Sequence, residues 1–216
     1  MLQGPFKPRG RRWVLALSTF APWATVAFIL GMASPAQALP GLDLDADLFG
    51  GLRTSGPQGL PGSNLDLDLY AGTPVLKASV HAFGLGQDDG VVEGVLRWEL
   101  SAPFLTIRPG IGYQGNTLFS TLSGRSLAPG TLDSAPYGNV WVTLSPPVVP
   151  LTFDAAVGAS YPIGLRSTVV DYMAGVTFFP LPLVPVGLSA RYRGYTVATA
   201  GSPAISAVEL GLRVKL

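Results

Sequence analysis

Between Leu42 and Leu48 the chain reads Leu-Asp-Leu-Asp-Ala-Asp-Leu, with every apolar residue on one parity and every carboxylate on the other. A β-strand sends successive side chains to opposite faces, whereas a helix would scatter this pattern around its axis. The segment therefore has one face that avoids polar surroundings and one that seeks them. Leu65-Asp66-Leu67-Asp68-Leu69 repeats the device. At the end of the chain Val208, Leu210, Leu212, Val214 and Leu216 alternate with Glu209, Gly211, Arg213 and Lys215. Similar alternation lies near 74–83, 90–100, 103–114, 137–145, 150–161, 167–179 and 183–195. Together these segments predict ten strands of roughly 9–13 residues, the length that crosses a bilayer at a tilt.

The connections alternate too. The odd ones, near 54–62, 84–90, 115–136, 162–166 and 196–203, are longer and rich in Gly, Ser and Asp. The even ones are short and built on proline: Gly72-Thr73-Pro74, Ser101-Ala102-Pro103, Ser145-Pro146-Pro147 and Pro180-Leu181-Pro182. Proline cannot continue a ladder, so each marks a strand end. Long loops on one side and short turns on the other are the asymmetry of a membrane barrel, with the short turns and both termini on the periplasmic side.

Alternation alone leaves open which face points outward. A secreted soluble ligand-binding barrel would turn the same apolar face inside. Composition favours the lipid-facing arrangement. Only 12% of residues are charged against 48% hydrophobic, where a soluble domain carries about 25% charged residues. After residue 38 the only lysines are Lys77 and Lys215. Trp98, Tyr113, Phe153, Tyr161, Phe178 and Tyr192 fall on the apolar parity near strand ends, where interfacial girdles would lie.

The one long apolar run is N-terminal. Residues 1–12 are basic, 13–32 apolar, and Ala36-Gln37-Ala38 follows Pro35. That is the order of a secretory signal, and it predicts a signal peptide over 1–38 and a barrel over 39–216. A retained anchor is the alternative. Lys7, Arg9, Arg11 and Arg12 lie in this segment and account for the slight positive balance of the whole chain. The remainder is net acidic, which speaks against nucleic acid as a partner.

Residues 39–216 resemble the bacterial small outer-membrane β-barrel class of eight to ten strands. The final strand is similar to the assembly signal of that class, although Leu216 stands where the terminal aromatic is usual. The resemblance implies a cell outer-membrane location, with the lipid bilayer and the outer-membrane assembly machinery as partners.

Any site must be sought on the polar parity. It carries Asp43, Asp45, Asp47, Asp66, Asp68, Arg97, Glu99, Arg108, Arg191, Arg193, Arg213 and Lys215, with Arg53, Lys77, His81, Glu93, Asp154, Asp171 and Glu209 beside them. Both signs are present, and the expectation is an ion-pair network inside the lumen. With no cysteine and one histidine, thiolate zinc and histidine-rich metal sites are excluded. The Asp43–Asp68 carboxylates could attract calcium, but pairing with arginines is the expectation, and no cofactor is assigned. Ser79 and His81 suggest a lipid- or peptide-modifying hydrolase as the rival function. Two positions apart on one strand face they stand about 6.5–7 Å from each other, loose for direct contact. No catalytic residue is assigned. The sequence thus predicts a non-enzymatic barrel with a structural or interaction role or a narrow pore, and inward glycines (Gly110, Gly112, Gly158, Gly175, Gly187 and Gly211) are expected to leave room for water. A last expectation is that Asp43 or Asp45 faces Arg213 or Lys215 where the barrel closes.

Overall fold

The structure is a computed structural model that describes residues 42–55, 63–85, 90–116, 133–162, 166–180, 185–198 and 204–215. All belong to the compact unit Leu39–Leu216. The segment expected to be a signal peptide, residues 1–38 with the Ala36-Gln37-Ala38 site, and the terminal Leu216 lie outside the described residues.

Ten strands alternate in direction along the described chain. They are β1 (Asp43–Ser55), β2 (Ser63–Gly72), β3 (Leu76–Phe83), β4 (Val91–Trp98, continued by Leu100–Ser101), β5 (Leu105–Asn116), β6 (Asp133–Leu144), β7 (Leu151–Ser160), β8 (Val169–Phe178), β9 (Val186–Val197) and β10 (Ala204–Lys215). The two pieces of β4 are one strand. Arg97 lies opposite Gly110 and Leu100 opposite Ile107, so the register on β5 passes unbroken across Glu99. Each strand pairs antiparallel with its neighbours in sequence, and β1 pairs with β10. The sheet has no free edge. In lipid that closure is obligatory, because an open row of N–H and C=O groups would find no partner.

The closing seam runs through ten aligned pairs, among them Asp45 opposite Lys215 and Asp47 opposite Arg213, with an irregularity between Arg53 and Ser55. The expected meeting of Asp45 with Lys215 is thus present in the backbone register. The ion pair itself forms one rung deeper, where the Arg213 guanidinium grips Asp47 at 2.8–3.1 Å.

The two faces decide the solvent. Leu69, Val80, Leu96, Ile111, Val157, Leu188 and Leu210 are exposed on the outside of the wall, while Asp47, Asp66, Asp68, His81, Glu93, Arg97 and Glu209 are buried within it. A soluble barrel has the reverse arrangement, so the soluble alternative is corrected here. Around the outside, Trp98, Phe153 and Phe178 are exposed near the turn end, and Tyr113 and Tyr161 near the loop end. They form two rims where amphipathic rings suit the headgroup region.

Several boundaries differ from the sequence reading. Strand β1 runs on through Gly50-Gly51 to Ser55, and β6 begins at Asp133 rather than 137. Pro136, within the segment expected as a loop, sits inside β6 opposite Tyr113. Strand β9 starts at Val186 rather than 183. The inward glycines also need correction. A Cβ on Gly211 would come within 2.5 Å of the Phe49 ring, and one on Gly158 within 2.3 Å of the Tyr137 hydroxyl. These positions make room for large neighbouring side chains, not for water.

Candidate functional site

Seen from the wall inward, the lumen has three levels. At the loop end Phe83, Val91, Val169, Tyr195, Val197, Ile205 and Ala207 form a buried apolar cluster. At mid-height lies a set of buried charges, and toward the turns a vestibule of about 400 Å³ opens.

The mid-height charges are held by Arg191 and Arg193, two residues apart on β9 and therefore on one face. Arg191 donates to Asp66 at 2.7 Å and to both Asp68 and Glu209, and its guanidinium lies 3.5 Å over the Phe49 ring. Asn64 bridges Asp66 and Glu209. Arg193 reaches Glu93 at 3.0 Å and Asp68 at 3.7 Å. Glu93 also accepts from Gln114 and Tyr195, each at 3.0 Å, and Ser160 donates to Gln114 at 2.7 Å. Strands β4 and β9 stand on opposite sides of the ring, so Arg193–Glu93 bridges the lumen from wall to wall. Charges taken out of water are costly unless every lone pair and proton is met, and removing one partner strands the other. Here each arginine meets at least two carboxylates.

Beneath this level His81 places Nδ1 2.9 Å from Asp68 and Nε2 2.9 Å from Arg97 Nη1. This geometry suits the tautomer with its proton on Nδ1. Arg97 also donates to Ser79 Oγ and lies 5.4 Å over the Trp141 ring. His81 Nε2 thus faces the Arg97 guanidinium, which stands between it and the Ser79 hydroxyl as a partner to both, and Nδ1 lies at ion-pair distance from Asp68.

In the vestibule wall Arg213 joins Asp47 to Asp154, which also accepts from Trp141 and Thr143. Arg108 donates to Glu99 at 2.8 Å and to Thr143 at 3.0 Å. Lys77 lies between Asp43 at 3.1 Å and Glu99 at 3.4 Å. Asp45 and Lys215 share a rung of the seam without a close ion pair, and Lys215 instead stands 4.7 Å over Phe179.

The acidic residues of β1 and β2 do not converge. Asp43 goes to Lys77, Asp47 to Arg213, and Asp66 and Asp68 to Arg191. Among the described residues, no group of three His, Asp or Glu side chains is arranged to hold a metal ion. The uncharged members escaped the sequence reading: Asn64, Gln114, Tyr137, Asn139, Trp141 and Thr143. Their signal was the same inward parity. Tyr137, for example, donates to Asp171 at 2.9 Å and accepts from Asn139.

No protein-family model matches the chain, and no curated protein sequence does. Among solved structures, the chain is similar to the NanC porin, with a TM-score of 0.46 and 11% identity over 79% of this chain and 100% of that one. It is similar to the outer membrane protease OmpT from Escherichia coli, with a TM-score of 0.38 and 10% identity over 82% and 97%. A third is the N-terminal β-barrel domain of Pseudomonas aeruginosa OprF, with a TM-score of 0.34 and 9% identity over 81% and 97%. The membrane assignment rests on the two faces of the wall and not on these likenesses. A closed antiparallel sheet, apolar outside, ionic inside and rimmed by aromatics, is built for one setting. The chain is a ten-stranded transmembrane β-barrel of the outer-membrane kind.

Proposed function

We propose that this barrel is a non-conducting and non-catalytic outer-membrane protein with a structural or interaction role. The observation that carries the reading is the Arg193–Glu93 bridge, which crosses the lumen between opposite strands. Above it the apolar cluster around Phe83 and Tyr195 closes the loop end of the wall. Barrels of this strand number enclose an interior that side chains can fill, unlike the channels of 16–18 strands. The non-catalytic part of the reading is supported at His81, whose ring nitrogens face Asp68 and Arg97.

Planar-bilayer recording on protein purified from membranes tests the reading. The expected result is no discrete conductance steps from the wild type, and steps from a variant in which Arg193 and Glu93 are both replaced by alanine. Steps of uniform size from the wild type would favour the narrow pore instead.

A further inference from the structure

Three of the short turns at the vestibule end are described throughout: 73–75, 102–104 and 145–150. None holds an Asp, Glu, Lys or Arg, and five of their twelve residues are proline. Segment 179–185 repeats this composition, uncharged and with three prolines. The charges found in connections, Asp88, Asp89, Arg125 and Arg166, all belong to the long loops. What the turns present instead is apolar. Val148 is 90% exposed, Val75 65% and Phe104 52%, and Val149 is exposed too.

This surface continues the lipid-facing wall. Past Trp98 the outward residue of β4 is Leu100, and past its partner Ile107 that of β5 is Leu105. Both are exposed, and Phe104 follows Leu105 into the turn. From Tyr113 to Leu105 the strand advances eight positions, about 20 Å along the membrane normal at the usual rise and tilt. The apolar band of such barrels is about 25 Å tall. Measured from Tyr113, its far edge therefore falls at the turns.

A turn bathed by water can leave N–H groups to it, whereas a turn in lipid cannot. Proline removes the donor outright. Other donors are met within the protein. The Thr73 N–H donates to the Leu76 carbonyl at 2.9 Å, and the Val75 and Leu76 N–H groups donate to Thr73 Oγ1 at 3.4 and 3.2 Å. Ala102 donates to the Leu105 carbonyl at 2.8 Å, and Ser145 to that of Phe104 at 2.9 Å.

We propose that these turns do not stand clear of the membrane but are seated in the lipid of the adjoining leaflet, with Val75, Phe104, Val148 and Val149 as their contacts. The bilayer is the occupant of this apolar fringe because the fringe is continuous with a wall that lipid already covers. Water reaches the vestibule along the barrel axis, inside the fringe. The inference goes beyond the structural role proposed above. It rests on the outward apolar wall and is independent of whether the lumen conducts.

The chain has no cysteine, so single-cysteine variants can each carry one fluorophore. Val148→Cys and Phe104→Cys are compared with Arg166→Cys, exposed in the β7–β8 loop, in nanodiscs that leave both membrane faces open. Phosphatidylcholine brominated near the headgroup should quench the turn labels and leave the Arg166 label bright. Aqueous iodide should quench the turn labels about fivefold less than the Arg166 label, since an ion is excluded from apolar surroundings. Val75→Cys replaces either turn variant if it fails to fold. Iodide quenching as strong at the turns as at Arg166 would mean a surface held in water, open to a soluble protein partner, and overturns the proposal. Shielding of the turn labels from both quenchers would mean that a second copy covers them, and overturns it as well.

Discussion

Toward the loops the inward positions of the wall are Phe83, Val91, Val169, Tyr195 and Val197, whereas toward the turns they are Asp43, Lys77, Glu99, Arg108 and Arg213. Both sets obey the same parity, yet one forms a buried apolar cluster and the other lines an open chamber. The contrast shows that in a membrane barrel parity assigns a side chain to the lumen without dictating its chemistry. Lipid constrains only the outer face. The lumen is free to be closed by apolar packing at one end and left wet at the other, with the arginine level between them taking the desolvation cost of the transition.

The sharpest way to break the contrast is at that middle level. Arg191→Leu leaves Asp66, Asp68 and Glu209 buried without their shared cation, and should destabilise the barrel by about 3–5 kcal/mol. Urea unfolding followed by tryptophan fluorescence measures it. A loss below about 1 kcal/mol would mean that water already reaches the level and that the division into dry and wet halves is misplaced.

Next is the dry end. Phe83→Ala removes a ring packed 5.0 Å from Tyr195 and beneath the Arg53 and Arg193 guanidinium groups. It should cost about 3–4 kcal/mol by cavity formation. The same unfolding experiment reads this loss, and an unchanged midpoint would show that the loop end is as loosely packed as the vestibule.

The outer face supplies the control. Leu210→Arg, on the lipid side of β10, should cost about 2–4 kcal/mol near mid-wall. Refolding into vesicles of increasing thickness would sharpen the figure, since the penalty follows depth. Smallest of all is the wet end. Asp43→Asn breaks only the half-exposed contact with Lys77, which keeps Glu99, and should change stability by less than about 1 kcal/mol.

How far these halves could be read from sequence depends on what each needs. The wall was legible because period two is strict in Leu65–Leu69 and in Val208–Lys215, and the same parity put Asp47, Asp66, Arg191 and Glu209 inside. The level of each residue was not legible. Asp68 and Arg191 are 123 residues apart and sit on strands two places removed from adjacency. Their meeting follows from how the strands stagger as the sheet closes, a property of the whole ring. The start of β6 was not legible either, since Asp133-Ser134-Ala135-Pro136 lacks the apolar alternation that begins after it. The inward glycines misled for another reason: Gly211 takes its meaning from Phe49, its cross-seam neighbour, which sequence proximity does not reveal.

The seam between β1 and β10 carries a consequence for assembly. A slip of one residue there would turn an entire strand inside out, and the bilayer would reject it. A slip of two would escape that inspection, because every leucine would still face lipid. What detects it is charge. Moved one way, Asp47 would face Gly211 while Arg213 faced Asp45; moved the other, Asp47 would face Lys215 while Arg213 faced Phe49, so either slip breaks the buried Asp47–Arg213 pair. The pair is 166 residues apart in the chain, so this verification becomes available only when the last strand arrives. Lipid thus penalises odd errors at closure, and loss of the Asp47–Arg213 contact penalises even ones.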